Sequence, residues 1–199
     1  MKYTIISASH RKGSNSFKTA QYIQKVISKM DGVTDCYLID LAEESLPMWG
    51  EEKERAQKVW GQIKNKLSDS SALVAISPEW GGMATPIIKN FFLYCTNEHV
   101  GHKPCMIVSV SSGRSGSYPV SELRASSYKN NRICYIPDHV IVRDVDNVLN
   151  DFEKPSSEND LLIRDRIQYS CKVLNEYNKA FCLIRESKVI DFKNYANGM

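Results

Sequence analysis

Apolar, β-branched runs recur along this chain at Tyr3–Ala8, Asp35–Leu41, Ala72–Ser77 and Pro104–Val110, and stretches of helical periodicity alternate with them. A short run without polar alternation buries both its faces, which only a parallel sheet covered on each side by helices provides. The helices are legible from spacing. Phe17, Ala20, Ile23, Val26, Ile27 and Met30 fall three or four residues apart, as do Ala56, Val59, Trp60, Ile63 and Leu67. Each set forms one apolar stripe on a helix. Pro86, a favoured first-turn residue, precedes Ile87, Ile88, Phe91, Phe92 and Cys95. A long terminal helix is marked by Ile163, Ile167, Cys171, Leu174, Tyr177, Phe181 and Ile184. With a weaker fifth strand at Val140–Val142, the pattern predicts an α/β fold, a doubly wound five-stranded parallel sheet with helices on both faces. The 199 residues suit a single domain spanning 1–199. The acidic stretch from Asp144 to Asp160 reads as a surface connection, and the tail after Glu186 as a mobile or partner-contacting extension.

The formal charge of +3 is a mild excess without the clustered Lys and Arg of a nucleic-acid footprint. No run approaches the roughly 20 apolar residues of a membrane span, and the N-terminus does not read as a secretory signal. Neither nucleic acid nor membrane is expected as a partner, and the cytoplasm is the expected compartment. Six cysteines lie scattered without C-x-x-C spacing and read as reduced core thiols. His99 and His102 form the one close histidine pair, too few ligands for a metal, so no metal is expected.

In an open parallel sheet the loops leaving the carboxyl ends of the strands gather on one edge, and ligands bind there where strand order reverses. Three such loops share a small, hydroxyl-bearing character. The first is Ser9-His10-Arg11-Lys12-Gly13-Ser14-Asn15-Ser16. It opens a helix whose first-turn amides lack intrahelical acceptors and carry partial positive charge, a natural seat for an anion. Gly13 permits a tight turn, Arg11 can supply a bidentate contact to phosphate, and Ser9, Ser14, Asn15 and Ser16 add short polar groups. Helix capping by Ser14 or Ser16 is the alternative reading. The loop lacks both the Gly-Lys-Ser/Thr of a Walker motif and the three glycines of a dinucleotide fingerprint, which leaves a compact phosphomonoester. The second loop, from Ser77 to Pro86, contains Pro78-Glu79-Trp80-Gly81-Gly82, a turn that could expose backbone amides to a flat ligand or simply reverse the chain. The third, Ser109 to Ser117, contains Ser111-Ser112-Gly113 and reads equally as a binding loop or a flexible linker.

Together these motifs resemble the NADPH-dependent FMN reductases of flavodoxin-like fold, a family that includes quinone, chromate and azo-dye reductases. That family's first loop runs Ser-x-Arg-x-x-Ser-x-Asn/Ser, matched here from Ser9 to Ser16. Its second runs Pro-Glu-Tyr-Asn-Gly-Ser with Lys-Asn shortly after, matched by Pro78 to Met83 and by Lys89-Asn90. Asp40-Leu41 with Leu46-Pro47-Met48-Trp49, and Lys103-Pro104 before the third loop, are further echoes. The likeness covers roughly residues 1 to 125. Trp80, Gly81 and Met83 depart from the family's tyrosine, asparagine and serine, so at Gly81 and Met83 the loop offers backbone groups rather than polar side chains. The resemblance implies FMN as cofactor, with Ser9, Arg11, Ser14, Asn15 and Ser16 on its phosphate. Pro78, Glu79, Trp80, Gly81 and Gly82 would run along the ring edge, and Ser111, Ser112 and Gly113 would border its other side. It also implies NADPH or NADH as electron donor, a small-molecule acceptor, and a homodimer or homotetramer. No catalytic acid or base is named, because the flavin carries the chemistry. A flavodoxin-type electron carrier without nicotinamide activity is the alternative.

Overall fold

The computed structural model describes residues 1–198. Five parallel strands form its centre: β1 (Lys2–Ser7), β2 (Asp35–Asp40), β3 (Ala72–Trp80), β5 (Pro104–Val110) and β6 (Cys134–Val142). A two-residue strand, β4 (Met83–Ala84), folds back antiparallel on β3. The sheet order is β2-β1-β3-β5-β6, so the direction of winding reverses between β1 and β3. Pairing is in register along β1, with Ile5 beside Leu38 on one side and Val74 on the other.

Each face carries its own core. Helix α1 (Asn15–Ser28) and the long helix α7 (Glu158–Glu186) cover one face, where Ile23, Ile27, Ile167 and Leu174 meet Tyr3, Ile5 and Val74. Helices α3 (Lys53–Asp69), α4 (Pro86–Tyr94) and α6 (Tyr118–Ala125) cover the other, where Ile63, Leu67, Phe91 and Leu123 meet Ile6, Leu73 and Ile107. Ile23 and Ile27 are fully buried, and each such side chain contributes about 1.5–3 kcal/mol relative to exposure. The single-turn helices α2 (Leu41–Glu44) and α5 (Asn97–Val100) complete the connections.

Three departures from the sequence pattern have local causes. Strand β6 begins at Cys134, six residues before the expected Val140, because a bulge hides its alternation: Tyr135 pairs with Cys105 and His139 with Ile107. Pro137 falls in the bulge on this edge strand, where a missing N–H costs no ladder bond. The stretch after Asp144 is more than a surface connection, since Val145, Val148 and Leu149 are buried in the core. At its far end the buried carboxylate of Asp160 accepts from Leu149 N (3.0 Å), Ser156 N (2.8 Å) and Arg164 Nε (2.9 Å). The terminal tail, in turn, folds back on the chain. Phe192 stacks on His102 with ring centroids 5.8 Å apart, and Arg132 donates to the carbonyl of Asn197 at 3.2 Å.

Candidate functional site

The reversal of winding places the carboxyl ends of β1 and β3 side by side. Between them opens a cavity of about 440 Å³, within the roughly 300–1,000 Å³ range of small-molecule sites. Its wall brings together Ser9, Arg11, Ser14, Asn15 and Ser16 from the first loop, Pro78, Glu79 and Trp80 from the second, and Ser111, Ser112 and Gly113 from the third. Lys12, Gly13, Val110 and Val145 line it as well. Gly81 and Gly82 are not part of the wall; they form the exposed turn of the β3–β4 hairpin, with φ of 57° and 72°. Two consecutive positive φ values match the twist of a tight hairpin, and glycine adopts them without strain.

The first loop is shaped by its own hydroxyls. Ser9, almost fully buried, accepts the amide of Arg11 at 3.1 Å and turns the chain away from β1. Gly13 adopts φ 60°, and Ser14 then caps α1 by accepting the amide of Phe17 at 3.2 Å. Capping and anion binding are therefore compatible in one residue: the cap uses Ser14 as acceptor and leaves its O–H free to donate. Lys12 reaches across to Glu43 at 2.7 Å. Arg11 is exposed and, among the described residues, its guanidinium has no hydrogen-bond or ion-pair partner; its Cζ lies 5.0 Å from the centroid of Trp80.

The second loop is locked from behind. Ser77 accepts the amide of Thr85 at 3.2 Å, and Thr85 donates from Oγ1 to the carbonyl of Ala8 at 2.7 Å, tying the end of β3 to the end of β1. Glu79 is the one acid in the cavity wall, and its carboxylate is already engaged: Oε2 accepts Gly116 N at 2.8 Å and Tyr118 N at 3.1 Å. It therefore fastens the second loop to the third. Within the third loop, Ser111 accepts the amide of Gly113 at 3.2 Å.

Sequence reading missed a fourth loop. After β6, Asp144 N and Val145 N donate to the carbonyls of Gly113 and Ser111, each at 3.2 Å. Asp146 accepts from Asn15 Nδ2 at 2.6 Å, and the Lys18 ammonium donates to Val145 O at 2.6 Å, Val148 O at 2.9 Å and Asn150 Oδ1 at 2.6 Å. Burial lowers the pKa of Lys18, opposed by the carboxylates of Asp146 and Asp160. The three apolar residues inside the acidic stretch, Val145, Val148 and Leu149, were the available signal.

The donor set suits a phosphorylated, planar ligand. A free guanidinium, several hydroxyls and the orphan amides of a helix start converge on one corner, and the only wall carboxylate is satisfied by backbone N–H groups. Among the described residues no helix is long and apolar enough to cross a membrane.

The chain is similar to known proteins in sequence and in fold. The family model of NADPH-dependent FMN reductases matches residues 1–146. An NADPH azoreductase of Bacillus sp. (strain OY1-2) is 28% identical over 117 residues, which are 58% of this chain and 62% of the azoreductase. Among solved structures, the flavoenzyme NAD(P)H:(acceptor) oxidoreductase FerB of Paracoccus denitrificans superposes with a TM-score of 0.71 at 18% identity, over 90% of this chain and 98% of that one. An oxidoreductase of Corynebacterium diphtheriae gives 0.70 at 16% identity, over 90% and 97%. These two likenesses establish the flavodoxin-like fold, and the match over residues 1–146 takes in every residue of the cavity wall: the chain belongs to the NADPH-dependent FMN reductase family.

Proposed function

We propose that this chain is an FMN-dependent NAD(P)H oxidoreductase passing electrons from NADPH or NADH to a quinone, flavin, azo or metal-oxyanion acceptor. The observation that carries the reading is the unpaired Arg11 guanidinium beside the α1 N-terminus, in a cavity at the point where the sheet's winding reverses. Bound FMN would supply the redox chemistry, taking hydride from a nicotinamide and handing electrons to a second substrate. Ser9, Arg11, Ser14, Asn15 and Ser16 would hold its phosphate. The backbone from Pro78 to Trp80 would run along the ring edge, with Ser111, Ser112 and Gly113 bordering the opposite side. Glu79 would act indirectly, by keeping the second and third loops at a fixed separation. No side chain is assigned as a proton donor or acceptor.

A homodimer or homotetramer belongs to the same reading. Met83 and Tyr118 beside the β3–β4 hairpin, Met48 and Trp49 in the loop after α2, and Leu93 on α4 are large apolar side chains each more than half exposed. Side chains of that kind are available for contacts between copies of the chain. Six free thiols support a reducing compartment such as the cytoplasm.

The test is a visible spectrum of the purified protein followed by steady-state oxidation of NADPH and NADH with a quinone acceptor. Flavin bands with turnover are expected. A colourless protein that takes up no FMN and oxidises neither nicotinamide would overturn the proposal. Flavin bands without nicotinamide oxidation would replace it with an electron carrier.

A further inference from the structure

Trp80 closes β3, stands half-buried in the cavity wall, and touches the first loop twice. The Arg11 guanidinium lies over its indole at 5.0 Å from the centroid, and the His10 ring stacks on it at 5.5 Å with 28° between the planes. The form of the first contact matters. All five N–H donors of a guanidinium lie in its plane, so an aromatic face orients the group without consuming one of them. A carboxylate partner would occupy two donors and cancel the charge.

We infer that Trp80 is a positioning residue for Arg11: the indole holds the guanidinium at the first loop with its donors free, and so sets how strongly the site prefers a phosphorylated flavin over the same ring without phosphate. The inference rests on the FMN reading above and adds the residue that determines its phosphate selectivity. Because Trp80 belongs to the second loop, it also couples the segment beside the ring to the segment beside the phosphate.

The test compares two ligands that share one ring. FMN and riboflavin are titrated by flavin fluorescence against the wild type, W80F, W80L, R11A and the R11A/W80L double variant. In W80L the ratio of the riboflavin to the FMN dissociation constant should fall roughly three- to tenfold, as the loss of one cation–π contact at a partly exposed site implies. Riboflavin, which shares the ring but lacks the phosphate, should be weakened by a smaller factor than FMN, and W80F should restore the ratio. In the R11A background, W80L should move the ratio no further. Should W80L fail to fold, W80M, which also lacks an aromatic face, reads the same quantity. Equal weakening of both ligands would make Trp80 a ring contact and overturn the inference. An unchanged ratio in W80L, or the same fall with and without Arg11, would overturn it too. In those cases a wild type that still binds FMN leaves the proposed function standing, whereas a wild type that binds neither ligand overturns both.

Discussion

Asn90 accepts the backbone N–H of Trp49 on Oδ1 at 2.8 Å and donates from Nδ2 to the carbonyl of Pro47 at 2.8 Å. Asn90 is 3% exposed, so this pair of bonds pins the loop after α2 to the middle of α4. It joins two motifs, Leu46-Pro47-Met48-Trp49 and Lys89-Asn90, that lie some forty residues apart in the chain. Replacing Asn90 by Ala strands the Trp49 N–H, while the Pro47 carbonyl keeps the Tyr94 hydroxyl at 3.1 Å, and about 1–3 kcal/mol of stability should be lost for the unsatisfied donor. Urea denaturation of Asn90→Ala beside the wild type measures it; an unchanged midpoint would refute the assignment.

Arg11 offers the simplest probe of the phosphate corner. Arg11→Ala should weaken FMN by roughly 1.5–3 kcal/mol, the range for hydrogen bonds to charged groups, and lower thermal stability only slightly, because the side chain is exposed and its one contact, with the face of Trp80, is worth about 0.5–1 kcal/mol at such a site. Fluorescence titration reads the first quantity and a melting curve the second. Unchanged FMN affinity would remove Arg11 from the site.

Glu79 should behave differently. Glu79→Ala leaves the amides of Gly116 and Tyr118 without their acceptor, so both stability and flavin binding should decline. Glu79→Gln keeps an oxygen that can accept and should recover most of the stability. The expected loss for alanine is about 1–3 kcal/mol. Should Gln be as damaging as Ala, the charge rather than the loop fastening would be what matters.

Gly116 stands where no side chain fits. Its φ is 110°, and a Cβ there would meet Cγ2 of Ile141 at 2.5 Å. Gly116→Ala therefore combines backbone strain with displacement of the third loop, and a loss of about 1–3 kcal/mol is expected. Chemical denaturation would show it; a neutral result would mean that the loop shifts at no cost.

Asp160 gives the protein a defined acid sensitivity. Burial raises its pKa, but the Arg164 guanidinium and the amides of Ser156 and Leu149 outweigh that effect and bring it from 3.8 to about 2. A folded-state pKa below the unfolded value means that the stabilisation is fully present above about pH 4 and is lost as pH falls toward 2, an amount of about 2 kcal/mol. Denaturant midpoints between pH 5 and pH 2 should fall in the wild type and less steeply in Asp160→Asn. Equal slopes would assign the acid sensitivity to other carboxylates.

The strands of the sheet interior were readable because both their faces are buried, which writes an unbroken apolar run. The edge strand β6 was readable only at Val140–Val142, since the bulge around Pro137 destroys any period before it. Helix α6, eight residues flanked by turns, is too short for periodicity to register. The three loops of the site could be grouped from sequence because strand polarity alone sends them to one edge. Their mutual bonds could not. Glu79 meets Gly116 across 37 residues, and Asn15 meets Asp146 across 131, pairings that exist only after the sheet has formed. Acidic composition likewise concealed the fourth loop, where Val145 and Val148 are core residues among aspartates.

The bulged border strand has a bearing on how copies of the chain can associate. With Pro137 lacking a donor and the ladder rhythm broken there, β6 presents a poor template for adding a neighbour's strand. Self-association that prolongs the hydrogen-bonded ribbon past this margin is disfavoured, whereas contact through helices and loop tips, where Trp49, Leu93 and Tyr118 protrude, is not impeded by it.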